Sequence, residues 1–127
     1  MRAPRDLRSG YALFRNQHCA VEAERYRQIG EGHSPRTMII GGADSRGDPA
    51  TIFSARPREL FVVRNVAAIV PPNGEDGGHH GTSAAIAFAV TGLKVNNIVI
   101  IGHGQCGGIA ASLTAAEQRP VGRFIAP

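Results

Sequence analysis

The chain has 127 residues, 43% hydrophobic and 19% charged, which fits one domain with a modest core and excludes a disordered chain. Its net charge of +4 raises the question of nucleic acid. More than half of the basic residues, however, precede position 50 and are dispersed among acids, and aromatics at 6% are too sparse for a base-stacking surface, so no nucleic-acid partner is expected.

No apolar run approaches the roughly 18 residues that a membrane span needs, and the N-terminus lacks the charged start, apolar middle and small-residue site of a secretory leader. A cytoplasmic protein with no membrane partner is expected. Cys19 and Cys106 are too few for a disulfide framework and sit in unlike contexts, so both are read as reduced thiols.

In chain order, residues 5–30 carry helical spacing. Leu7, Tyr11 and Phe14 repeat on one face, and Ala20, Ala23, Tyr26 and Ile29 lie near another. Both stripes are narrow and need a surface to lean on. Gly30, Gly32, Ser34 and Pro35 end this part, so residues 1–35 are expected to form an N-terminal helical arm and 36–127 an α/β core within one domain overall.

Beyond Pro35 the pattern becomes that of strands. Thr37–Ile40 is an apolar run suited to a strand buried on both faces, Leu60–Arg64 is a second and Asn97–Ile101 a third. Between the last two lies a helix over Thr82–Val95, with Ile86, Val90 and Leu93 on one face and Thr82 or Ser83 available as its cap. Strand, crossover helix and strand imply a parallel β-sheet core with flanking helices. Ligands in such sheets sit outside the carboxyl ends of the strands. Two glycine loops follow strands there: Gly42-Ala43-Asp44-Ser45-Arg46 and Gly102-His103-Gly104-Gln105-Cys106-Gly107-Gly108.

An imidazole and a thiol spaced as H-x-x-C can turn toward one tetrahedral ion, with Gly102, Gly104, Gly107 and Gly108 read as giving the loop its freedom. Asp44 and Arg46 can form a charge-assisted pair that keeps the carboxylate ionised. His79-His80, His18 and His33 are read as surface residues, and Cys19 as a helix-face thiol. Arg64 ends a buried-looking strand and calls for a structural carboxylate.

These residues resemble the β-class carbonic anhydrases. That family shows C-x-D-x-R after its first strand and H-x-x-C after a later one. Glu59-Leu60-Phe61-Val62-Val63-Arg64-Asn65-Val66-Ala67 and Asp76-Gly77-Gly78-His79-His80-Gly81-Thr82-Ser83-Ala84-Ala85 are similar to it as well. The likeness runs from about Arg36 to Ile109, more loosely through the N-terminal helices and Arg123-Phe124-Ile125-Ala126-Pro127.

The resemblance implies reversible hydration of CO2 to bicarbonate on a zinc-bound hydroxide. It implies Asp44 and Arg46 as the catalytic pair, and His103 and Cys106 as two of three permanent Zn2+ ligands. The third family ligand is a Cys, and Gly42 stands in its place. Structural zinc sites bind with roughly 10–16 kcal/mol, so one ligand in four carries roughly 3–4. At about 1.4 kcal/mol per decade its loss weakens binding roughly 10²–10³-fold. Weak or partial zinc binding, with weak or lost activity, is therefore expected, and Asp44 is a possible substitute ligand at the cost of its role as hydroxide acceptor. The family builds its pocket between subunits, which implies a homodimer or higher homo-oligomer with residues 5–30 across the partner. Family members also run further, so the chain is either a short relative or a piece of a longer one. The alternative reading is a metal-free module that binds bicarbonate or another small anion.

Overall fold

The computed structural model describes residues 4–32, 34–72 and 80–113, apart from the side chains of Ile29, Glu31 and Ser45. His33, His79 and the closing Arg123–Pro127 lie outside the described residues, as does most of the segment before His80. The chain divides into two compact units between positions 33 and 34.

The first unit is helical. Helix α1 spans Arg5–Leu13, a π-helical stretch follows over Phe14–Cys19, and α2 spans Ala23–Glu31. Phe14 joins them: its ring meets Tyr26 edge-on at 5.6 Å and 88°. It also lies 6.4 Å from Tyr11 and 6.3 Å from His18. No residue of α1 is buried, so the stripe read from the sequence remains open to solvent.

The second unit is a three-stranded parallel sheet with helices. Strands β1 (Thr37–Gly42), β2 (Leu60–Asn65) and β3 (Asn97–Ile101) lie in the order β2-β1-β3. Short helix α3 (Pro49–Ile52) lies on the path from β1 to β2. Helix α4 (Gly81–Ala87), prolonged by a π turn over Phe88–Gly92, precedes β3. Helix α5 (Gly107–Ser112) follows β3. This is the α/β class that the strand and crossover pattern implies.

The core sits where β1 is enclosed. Met38, Ile39 and Ile40 are fully buried, each removal from water being worth about 1.5–3 kcal/mol. Met38 and Ile40 share a face with Phe61 and Val63 and pack against Ala85, Ile86 and Ala89 of the α4 region. Phe61 and Phe88 add a tilted ring contact at 6.0 Å.

Two details of this helix differ from the sequence expectation. The packed side runs through Ala85, Ile86 and Ala89, while Val90 is 47% exposed. The π turn widens the coil by a residue, so a strict 3.6 period fails beyond Phe88. Thr82 does not cap the helix either. The N-cap is His80, without a side-chain cap bond, and the Thr82 hydroxyl accepts from Asn65 Nδ2 at 3.1 Å.

The chain leaves β1 to one side for β2 and then returns across to β3, so connections diverge at β1. Register pairs Gly41 with Ile101 and Gly42 with Asn65. The loops after β1 and β3 therefore leave the sheet side by side, where such a reversal opens a crevice at the carboxyl ends.

Candidate functional site

The crevice is a cavity of about 150 Å³ lined by Gly42, Ala43, Asp44, Val66, Ala67, His103, Cys106, Gly107 and Gly108. The structure thus brings Gly42, Asp44, His103 and Cys106 together from two loops whose nearest members among these, Asp44 and His103, are 59 residues apart in the chain. Arg46 joins them through Asp44.

Asp44 turns the chain out of β1 into a single 3-10 turn, Ser45–Gly47. Its Oδ1 accepts from the Arg46 backbone N–H at 2.9 Å and from Arg46 Nε at 3.0 Å, while Oδ2 accepts from Arg46 Nη2 at 2.6 Å. The forked hydrogen bonds from the Arg46 side chain, and then its backbone N–H, hold the Asp44 carboxyl well below the usual carboxylate range. Asp44 raises the Arg46 guanidinium in turn. The pair is partly open to water, with side chains 34% and 54% exposed.

Arg64 fixes the loop from the neighbouring strand. Its Nε donates to the Gly42 carbonyl at 2.8 Å, its Nη1 to Asp48 Oδ1 at 3.2 Å, and its Nη2 to the Asp44 carbonyl. The carboxylate that Arg64 called for is Asp48, which the sequence reading did not single out. Asp48 also caps α3 by accepting from the Thr51 N–H at 2.9 Å and the Thr51 hydroxyl at 2.7 Å. An Asp followed by Pro at the first helical position was the available signal.

On the other loop, His103 Nδ1 lies 2.9 Å from the Gly104 carbonyl. A carbonyl only accepts, so Nδ1 is the donor in this contact and Nε2 is the ring nitrogen it leaves available. That Nε2 is buried and has no hydrogen-bond partner among the described residues. A Cβ built on Gly42 would lie 3.7 Å from it. Cys106 stands at the N-terminal boundary of α5.

The loop glycines act differently from the freedom first read into them. The left-handed position in this loop is Gln105, at φ 54°, and Gly32 is the positive-φ glycine among the described residues. Gly108 is needed for closeness: a Cβ there would lie 2.9 Å from Ala67 N, Ala67 Cβ and Val66 Cγ1. Ala67 itself adopts φ 67° to complete that approach.

A catalytic zinc site takes three protein ligands and leaves a fourth position open. Among the described residues, no three His, Cys, Asp or Glu side chains gather around a common point. His103 and Cys106 offer two donors, Asp44 is engaged by Arg46, and Gly42 offers no side chain. Among the described residues this cavity thus supplies two donors, His103 and Cys106, where a catalytic zinc site takes three.

Comparison with known proteins agrees on the class. A family model described as carbonic anhydrase matches residues 37–126. The chain is 39% identical over 109 residues to mitochondrial β-carbonic anhydrase 6 of Arabidopsis thaliana, across 86% of this chain and 37% of that protein. Among solved structures, the β-carbonic anhydrase CcaA superposes with a TM-score of 0.85 at 29% identity, covering 95% of this chain and 53% of that one. One of two tetrameric β-carbonic anhydrases from the filamentous ascomycete Sordaria macrospora superposes with a TM-score of 0.72 at 34% identity, covering 84% and 52%. The chain belongs to the β-carbonic anhydrase family. It spans less than half the length of that curated relative and about half of these solved chains.

Proposed function

We propose that the chain carries a carbonic-anhydrase-type site for CO2 and bicarbonate, in which zinc retention and CO2 hydration are impaired by the glycine at position 42. One observation carries this proposal: His103 Nε2, buried and without a hydrogen-bond partner among the described residues, belongs to the cavity lining and lies 3.7 Å from where a Cβ on Gly42 would stand. A buried acceptor left unsatisfied costs about 1–3 kcal/mol, which an electrophile at that point would relieve.

Asp44 and Arg46 are the proposed catalytic pair. Arg46 keeps Asp44 ionised, and Oδ2, which accepts one bond from Arg46, has capacity for a second from water or substrate. As a substitute metal ligand Asp44 would use that same capacity and would cease to accept from water or substrate. A homo-oligomer is part of the same proposal, in line with the tetramers of the Sordaria macrospora relatives.

Zinc content and CO2 hydration of the purified protein, beside Gly42→Cys and Cys106→Ser variants, test it. Tetrahedral coordination sets nitrogen and sulfur about 3.5 Å apart, given the usual metal–ligand lengths. A Cys whose Cβ lies 3.7 Å from Nε2 can meet that spacing. Substoichiometric zinc is expected in the native chain, with a roughly 10²–10³-fold gain in affinity, and a gain in rate, for Gly42→Cys. Cys106→Ser loses whatever zinc was bound. If Gly42→Cys gains neither metal nor rate, the metal-free anion-binding alternative replaces this proposal.

A further inference from the structure

We infer that Asn65 is a positioning residue for the cleft: its side-chain amide clamps the turn after β2 in a left-handed form, and that turn sets the width of the space beside His103 and Cys106. The inference rests on the reading of this cavity as a site for CO2 and bicarbonate, and adds to it the residue that fixes one wall.

Three observations converge. Asn65 closes a ring on a single residue: its Oδ1 accepts from the Ile69 N–H at 2.7 Å, and its Nδ2 donates to the Ile69 carbonyl at 2.8 Å. The residues enclosed by that ring hold an unfavourable shape, because Ala67 and Ala68 follow one another at φ 67° and 53°. A residue with a Cβ avoids this region, and two in succession stay there only when surrounding groups impose it. The same turn then becomes part of the site. Val66 and Ala67 line the cavity with His103 and Cys106, and both stand so near Gly108 that a Cβ there would meet each at 2.9 Å.

Asn65 also ties this wall to its surroundings. Nδ2 reaches the Thr82 hydroxyl at 3.1 Å. The Asn65 carbonyl accepts from the Ala43 N–H at 2.8 Å, and Ala43 is itself a lining residue. Without the amide the two alanines relax toward ordinary backbone, Val66 and Ala67 withdraw from Gly108, and the cleft widens.

The test alkylates Cys106, a free thiol of the lining, in the intact protein. Iodoacetamide is compared with iodoacetanilide, which delivers the same group with a phenyl ring attached. Peptide mass spectrometry counts Cys106 apart from Cys19. The native chain prefers the small reagent at Cys106. Asn65→Ala lowers that preference about tenfold, the scale set by releasing strained backbone. Adding Ala68→Gly to Asn65→Ala restores it, because glycine holds a positive φ unaided. Asn65→Asp keeps the acceptor and loses the donor, so it falls between, and it serves where the alanine variant does not fold.

A role confined to stability would speed both reagents alike through the unfolded chain and leave the preference untouched. That outcome, or a failure of Ala68→Gly to restore the preference, overturns the inference. Bicarbonate as competitor judges the site reading separately. It slows alkylation of Cys106 and not of Cys19, and Asn65→Ala requires about tenfold more of it. If bicarbonate protects no variant while the size preference shifts as stated, the wall role of Asn65 stands and the site reading falls.

Discussion

Asp44 does two things with one side chain. It closes the turn after β1 by accepting the Arg46 N–H, and it holds the Arg46 guanidinium in a fork. Its pKa is depressed in the folded state, so the stabilisation is present above the unfolded value of about 3.9 and disappears as pH falls through the lower folded value. An Arg46→Gln variant should therefore melt below the native protein at neutral pH, with the gap narrowing in acid below about pH 4. Because the pair is partly exposed, the gap at neutral pH will be small. Melting curves run from neutral to strongly acidic buffer check this, and a gap that stays constant sinks it. The Asp-x-Arg pair was legible because both partners belong to one turn. The bonds from Arg64 to the Gly42 and Asp44 carbonyls were not, since they span 22 and 20 residues and depend on strand register.

At the scale of elements, β1 and β3 read almost alike as short apolar runs and end in opposite environments. β1 is central and buried, whereas in β3 Ile98, Val99 and Ile100 are 44%, 38% and 58% exposed. Periodicity reports that a strand is apolar, not whether it has neighbours on both sides. Ile40→Ala should cost about 2–5 kcal/mol. Ile100→Ala should cost under about 1 kcal/mol, as expected for a half-exposed position. Chemical denaturation of both variants measures the contrast, and equal losses would show β3 to be enclosed. The three strands and the crossover helix were visible in the letters. The π turn that rotates the helix's packed side was not, because it is a backbone adjustment without a residue signature.

For the molecule as a whole, the sheet reversal at β1 explains why the two glycine loops meet. That placement could be anticipated from strand order, while the short-range fit of Gly108 on Ala67 could not. Among the described residues no helix is long and apolar enough to cross a membrane. The proposed homo-oligomer predicts sedimentation at a multiple of 13.4 kDa, and a single monomeric boundary at working concentration would remove it.

Arg64 has a consequence for that cleft. The carbonyls of Gly42 and Asp44 are tethered by a guanidinium anchored in β2, and Asp48 holds the same group. The mouth of the site is thus shaped by a cation belonging to the chain. An incoming guest need not organise the loop, so the entropy of ordering it is already spent during folding and is not charged against binding.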